Sequence, residues 1–280
     1  MFRKQYDFCG IGVRVEADRQ LEQLACIRKF AAPLASADLT FTYQETDVLP
    51  VCPPGAQRWV YGETRFQNLW RMGGGDAPGQ RYACVQRMDH HVLFQSKRSE
   101  TKEMGVCGLL DQAGLQPLLL EFRALLLHAV YLLYQGEAIL FTAPSGTGKT
   151  TQAELWCEHR GGRIINGDRT LLRRTEAGFL AGGFYISGTS KICMNHTAPV
   201  RAIVILDQGT ENYAGRLHAA ATVERLLSQA SYDVEDPENV RLAVQFALDA
   251  AAELPVVHLT CTPDIRAIEA LERYLNSNRI

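Results

Sequence analysis

Between residues 137 and 160 the chain reads as an apolar strand, a glycine-rich turn and a helix, and this order restricts the fold more than any other stretch. Glu137-Ala138-Ile139-Leu140-Phe141-Thr142 has the composition of a buried strand, Ala143-Pro144-Ser145-Gly146-Thr147-Gly148-Lys149-Thr150 follows at once, and Thr151-Gln152-Ala153-Glu154-Leu155-Trp156 is a good helix. That context is the one a phosphate-binding P-loop requires. A glycine-rich turn lets successive backbone N–H groups converge on phosphates, Lys149 adds a mobile positive charge, and the Thr150 hydroxyl can ligate Mg²⁺. A helix predicted from Thr150 to about His159 points its positive dipole end at the same anion. Ser145, Gly146, Thr147, Gly148, Lys149, Thr150 and Thr151 are therefore the expected contacts of a nucleoside triphosphate, with ATP and Mg²⁺ as the expected cofactors. Ala143 stands where the first glycine of the pattern usually does, and a small side chain is tolerable there because the later positions approach the phosphates most closely. The competing reading is an ordinary Gly/Ser/Thr turn that fits by chance; the strand before it and the helix after it argue against that.

The rest of the composition narrows the partners. The 280 residues are 46% hydrophobic, enough for one large domain or two. Lys and Arg number 29 against 31 Asp and Glu, for a net charge of -2, so no basic excess suggests nucleic acid or an anionic membrane as partner. The cysteines Cys9, Cys26, Cys52, Cys84, Cys107, Cys157, Cys193 and Cys261 form no C-x-x-C pair, which points to free thiols in a reducing cytoplasm. No signal-peptide pattern follows the charged start Met1–Asp7. The most apolar stretch, 118 to 134, is broken by Glu121, Arg123 and His128, so it reads as a buried helix and not a membrane span.

Two regions differ in pattern. Residues 1–110 show short alternating runs, 10–15, 39–43, 81–87 and 92–97, separated by Pro and Gly turns, and predict a small β-rich N-terminal domain. Gly73-Gly74-Gly75-Asp76-Ala77-Pro78-Gly79 reads as a surface loop, and His90-His91, with no other ligand spacing nearby, as a solvated turn. Residues 111–280 predict an α/β domain with a mixed sheet. In it Leu118, Leu119, Phe122, Leu125, Leu126, Ala129, Leu132 and Leu133 recur at helical spacing and lead through Gln135-Gly136 into the strand before the loop. Gly161-Gly162 should stop the following helix, 163–166 is a strand, 170–173 and 178–181 a hairpin, 200–206 a buried strand and 256–260 another. Asp236-Pro237 and Thr262-Pro263 are start signals for helices over 238–251 and 264–275.

A phosphate loop needs a second acid for the metal. Asp168 lies 19 residues after Lys149, the length of one helix and one returning strand, and is the candidate metal ligand with Thr150; the alternative is an aspartate that merely caps a Gly-Asp turn. His128, 21 residues before Lys149, would ordinarily be a satisfied core histidine, but its spacing makes it a catalytic candidate.

The three pieces together resemble the catalytic domain of the HPr serine kinase/phosphorylase family and, more distantly, the ATP-using phosphoenolpyruvate carboxykinases. The residues that carry the resemblance are His128, then Ser145-Gly146-Thr147-Gly148-Lys149-Thr150, then Asn166-Gly167-Asp168-Arg169, where the family has Ala-Asp-Asp-Arg. The resemblance covers roughly 120–175 and implies a P-loop, HPr-kinase-like mixed-sheet domain after the β-rich one. It also implies a kinase that transfers the γ-phosphoryl group of ATP to a hydroxyl, with Lys149, Asp168 and His128 as catalytic residues and Thr150 and Asp168 on Mg²⁺. The acceptor would be a serine of a peptide or protein, as in kinases associated with modified-peptide clusters, or a small-molecule alcohol. HPr-kinase-like domains often assemble, so a homo-oligomer is open to it. Two departures stand out. Gly167 occupies the position of the family's catalytic base, so Asp168, His128 or a residue from elsewhere takes the proton; and the family's later Gly-rich signature is replaced by Gly182–Lys191, which argues against HPr itself as substrate and against phosphorylase activity. In that segment Ser187, Ser190 and Lys191 could contact the acceptor, or form a plain surface loop. The alternative function is a non-catalytic ATP-binding regulator or adaptor.

Overall fold

The computed structural model describes residues 1–54, 56–71, 79–98 and 104–277, and divides into two compact units, Met1–Leu115 and Gln116–Ile280. Most of the glycine-rich stretch 73–79 lies outside the described residues. No helix among them is long and apolar enough to cross a membrane.

The first unit is built on one sheet of β1 (Phe2–Phe8), β2 (Ile11–Ala17), β3 (Leu39–Thr46), β4 (Arg58–Tyr61), β5 (Thr64–Arg71), β6 (Gln80–Met88) and β7 (His91–Lys97), with short helices α1 (Ala25–Arg28) and α2 (Val106–Gln112). The order β1-β2-β3-β7-β6-β5-β4 mixes parallel pairs at β2–β3 and β3–β7 with antiparallel ones elsewhere. Alternation puts Ile11, Val13, Val15, Phe41, Tyr43 and Phe94 in its core. The expected strand over 10–15 begins one residue later, because Cys9 and Gly10 both take positive φ in a two-residue hairpin turn. His90 sits in the β6–β7 turn and His91 is exposed at the start of β7.

The chain then passes through α3 (Leu115–Leu118) and a 3-10 turn, Leu119–Phe122, into β8 (Ala124–Tyr134), β9 (Glu137–Thr142), α4 (Lys149–Arg160), β10 (Arg163–Asn166), β11 (Arg169–Thr175) and β12 (Gly178–Gly182). It continues with β13 (Thr197–Gln208), β14 (Tyr213–Gly215), α5 (Ala219–Leu227), β15 (Ala230–Ser231), α6 (Pro237–Glu253), β16 (Val256–Cys261) and α7 (Ile265–Ser277). Among the described residues these strands form one mixed sheet, parallel at β13–β9 and β13–β16 and antiparallel at the other pairings. Helices α4 and α7 pack Ala153, Trp156, Ile268 and Leu271 on one apolar cluster, while α5 and α6 pack Leu226, Ala243, Phe246 and Ala250 on another.

One expectation fails. The stretch 118–134 is not a long helix: after the 3-10 turn, Arg123 takes φ 54° and the chain becomes the strand β8, so His128 is a strand residue. Leu125, Leu127, Ala129 and Tyr131 face one apolar cluster, Val130 and Leu132 the other. A strand covered on both faces reads as an unbroken apolar run, in which a 3.6-residue period can be found without being the one used. Gln135-Gly136, with φ of 53° and 82°, is accordingly a two-residue hairpin turn joining β8 to β9.

The local start and stop signals mostly act as expected. Gly161 ends α4 in the left-handed conformation, and Asp236 accepts from the N–H groups of Glu238 and Asn239 ahead of Pro237. At α7 the cap is Asp264 instead of Thr262: its carboxylate accepts from the Arg266 N–H at 2.9 Å, and the Thr262 hydroxyl donates to it at 2.8 Å. The helix therefore begins two residues after Pro263.

Candidate active site

At His128 the strand β8 changes neighbours on both edges. One edge pairs with β15 at Leu126–Leu127 and with β9 from Ala129 onward; the other pairs with β11 up to His128 and with β10 from Tyr131. A point where strand partners change is the usual place for a ligand in an open α/β sheet. The His128 backbone spans the split: its N–H donates to the Gln229 carbonyl at 2.8 Å, and its own carbonyl accepts from the Thr142 hydroxyl at 3.0 Å.

Thr142 is the last residue of β9, and the glycine-rich loop leaves from it. Gly146 and Gly148 take φ of 80° and 106°, and a Cβ at either would meet nothing within 4 Å. Their need for glycine is therefore backbone conformation, with open space over the loop. Lys149, 8% exposed, folds back and donates to the Ala143 and Pro144 carbonyls at 2.8 and 3.1 Å. No side chain caps the N-terminus of α4 at Gly148, which leaves the first turn of a twelve-residue helix open to an anion. Ser145, Gly146, Thr150 and Thr151 are exposed, with Thr147 and Gly148 half-buried. Gln208, at the end of β13, reaches the loop through the Gly146 carbonyl at 3.4 Å.

The third component is the turn after β10. Asn166 is fully buried and uses both ends of its amide: Oδ1 accepts from the N–H groups of Asp168 and Arg169, each at 2.9 Å, and Nδ2 donates to the Phe184 and Ile186 carbonyls. This fixes the turn and presents Asp168 beside His128, with Oδ1 to Nε2 at 3.4 Å and Arg169 Nε to Oδ2 at 3.8 Å. A Cβ on Gly167 would lie 2.0 Å from Ser190 Oγ and 2.6 Å from Ser190 Cβ, so a side chain there is sterically excluded. Ser190 in turn donates to the Ser187 carbonyl at 2.7 Å, and Gly188 packs its Cα directly on the Asp168 side chain. The segment 187–191 is thus a 3-10 turn seated on the acid, with Lys191 exposed at φ 56°.

Charge couples these parts. Burial lowers the pKa of His128, the positive charges of Lys149 and Arg169 lower it further, and Asp168 and the hydrogen bond to Gln229 oppose them. Burial also lowers Lys149, opposed by Asp168. The balance favours the neutral form of His128, the one able to accept a proton. His128 stands beside Asp168, and Lys149 lies within electrostatic reach of both. Thr150 lies on the exposed side of the first turn of α4 and, among the described residues, is not hydrogen-bonded to Asp168. Asn166, Gln208 and Gln229 also belong to the site; the Asn-Gly-Asp turn signal could have indicated Asn166, whereas Gln229, 101 residues from His128, has no local signature. No group of three or more His, Cys, Asp or Glu that could hold a metal occurs among the described residues.

No protein-family model matches the chain, and no curated protein matches it. Among solved structures it is similar to the Hpr(Ser) kinase/phosphatase from Coxiella burnetii, at 16% identity and a TM-score of 0.29, over 55% of this chain and 88% of that one. This is a distant structural similarity only.

Proposed function

We propose that the unit Gln116–Ile280 is an ATP-dependent, Mg²⁺-requiring kinase that transfers the γ-phosphoryl group to a hydroxyl acceptor, a serine of a peptide or protein or a small-molecule alcohol. The observation that carries this reading is the meeting of Lys149, Asp168 and His128 where the glycine-rich loop leaves β9. The positive-φ glycines and the uncapped start of α4 suit polyphosphate. Magnesium suits the donors present, since it takes one or two protein oxygens and completes its shell with water and phosphate; Thr150 and Asp168 would hold it, and it would neutralise charge on the transferring group.

The chain's own residues then have separate tasks. Lys149 exchanges the loop carbonyls for the β and γ phosphates. The acceptor oxygen attacks the γ phosphorus, the bond from phosphorus to the β–γ bridging oxygen breaks, ADP leaves, and the acceptor proton passes to His128 Nε2. Asp168, 3.4 Å from that nitrogen, steadies the imidazolium so formed. No carboxylate is needed at position 167, where Ser190 fills the space.

That filled position also favours a second reading, a nucleotide-binding regulator that transfers nothing. Incubation with γ-labelled ATP and Mg²⁺ against peptides, serine and polyols separates the two. Labelled product lost in Lys149→Ala supports the kinase; stoichiometric ATP binding with no product from any acceptor supports the regulator.

A further inference from the structure

We propose that the groove between α5 and α6 is a docking site for an apolar, basic segment of a peptide or protein acceptor. That the docked partner is an acceptor rests on the kinase reading above; the docking itself does not.

Helix α5 carries more apolar surface than its own fold covers. Thr222 and Leu226 are buried, and Leu226 joins the cluster beneath α6. Ala219, Ala220, Val223 and Leu227 form a second stripe, recurring every three to four residues, that stays exposed or half-buried. With Tyr232 and the exposed Leu248 of α6 they line a groove of about 730 Å³. A cavity of that size is within the range of ligand sites. Its run along α5, from Ala219 to Ser228, is roughly 13 Å at the rise of a helix, the length of two to three helical turns of a partner. Such a shape suits an amphipathic segment laid into a groove.

The charge around the groove selects among such segments. Residues 219–238 contain five acids, Glu224, Asp233, Glu235, Asp236 and Glu238, against one cation, Arg225. Arg225 is engaged by Asp207 at the end of β13 and does not line the groove. Glu224 does line it, and among the described residues its carboxylate has no ion-pair partner. Even with Glu238 paired to Arg241, the surroundings stay acidic. A partner that fills the apolar floor and sets Lys or Arg along the rim is therefore favoured, and an acidic one is repelled.

The groove also leads to the candidate site. Ser228 lines its end, and the next residue, Gln229, accepts the His128 N–H at 2.8 Å through its carbonyl. A segment seated along α5 is thereby delivered beside the strand that carries His128.

The test uses the full-length protein and fluorescein-labelled helical peptides of leucine with lysine, or of leucine with glutamate in the same positions, read by anisotropy without nucleotide. The lysine peptide should bind about 10-fold more tightly than the glutamate one. Glu224→Lys should weaken it about 10-fold and Leu248→Ser roughly 5-fold, both at exposed positions that leave the fold intact. Glu269→Lys, on α7 and so on the other apolar cluster, should change nothing. Absence of binding, equal affinity for the two peptides, or equal weakening by Glu269→Lys would overturn the proposal. A wild-type dimer that Leu248→Ser converts to monomer in sedimentation would give the groove to a second copy and overturn it as well. In phosphoryl transfer, a serine peptide extended by the leucine–lysine segment should show a KM roughly 10-fold below that of the unextended peptide, an advantage lost in Glu224→Lys. Failure to phosphorylate any acceptor would overturn the kinase reading alone, since the anisotropy still decides the docking.

Discussion

Two clusters in the C-terminal unit contain the same three side-chain types and are built oppositely. At the end of β13, Asp207 receives both of its oxygens' contacts from Arg225 at 2.5 Å and a hydrogen bond from His258 Nε2 at 2.8 Å. Burial pushes its carboxyl up, but these partners outweigh that and hold it below the usual carboxylate range. At the β10–β11 turn, Asp168 stands 3.4 Å from His128 and 3.8 Å from Arg169, too far for strong hydrogen bonds. The first aspartate is closed on its partners and fastens α5 to the sheet. The second is pre-positioned by its backbone, through Asn166, while its oxygens keep room for a ligand. Short ion pairs therefore mark the fastening, and the loose set marks the candidate site.

The contrast can be broken most sharply at the two aspartates. Asp168→Asn should cut phosphoryl transfer by about 10³-fold while leaving the thermal midpoint nearly unchanged, as read by labelled-product assay and calorimetry. Comparable loss in Asp207→Asn would erase the distinction. His128→Ala should follow with a fall of roughly 10²-fold. Because burial and the neighbouring cations depress the His128 pKa, its folded-state benefit is present above the ordinary histidine value and lost as pH falls through the depressed one. The acid limb of kcat/KM should accordingly lie below the value of an unperturbed histidine and disappear in the alanine variant.

Steric closure of the turn comes next. Gly167→Ala should cost about 1–3 kcal/mol by denaturant unfolding, because the new Cβ meets Ser190, and Gly167→Ala combined with Ser190→Gly should recover most of it. Additive losses would mean that Ser190 is not the obstacle. The smallest effect is expected at Asp207→Asn: about 1 kcal/mol after allowance for the pair's partial exposure, roughly 2–4 °C in Tm, with transfer retained. Its carboxyl is depressed when folded, so the pair's contribution is present above the unfolded carboxylate pKa and vanishes as pH drops through the folded one. The Asp207→Asn protein should thus lose less stability on acidification than the wild type.

What could be read from the sequence was local. The glycine-rich loop, the hairpin of β11 and β12 and the start of α6 are each specified within a few residues by backbone conformation or capping, and no distant contact is needed to find them. β8 is not legible as a strand because both of its faces are apolar, which hides the two-residue period that usually betrays one. Asp168 and His128 are linked in the sequence only by spacing; that Asn166 is anchored on Phe184, 18 residues on, and that Gln229 meets His128 across 101 residues is announced by no pattern in the chain.

The two-residue turn at Gln135-Gly136 acts as a gauge. It fixes Ala129 opposite Thr142, and so the offset between the histidine and the departure of the loop is set by counting peptide units along two paired strands. Insertion of one residue within either strand would turn His128 to the opposite face or carry the loop one position along, whereas the long connection between β12 and β13 can vary in length without disturbing that offset.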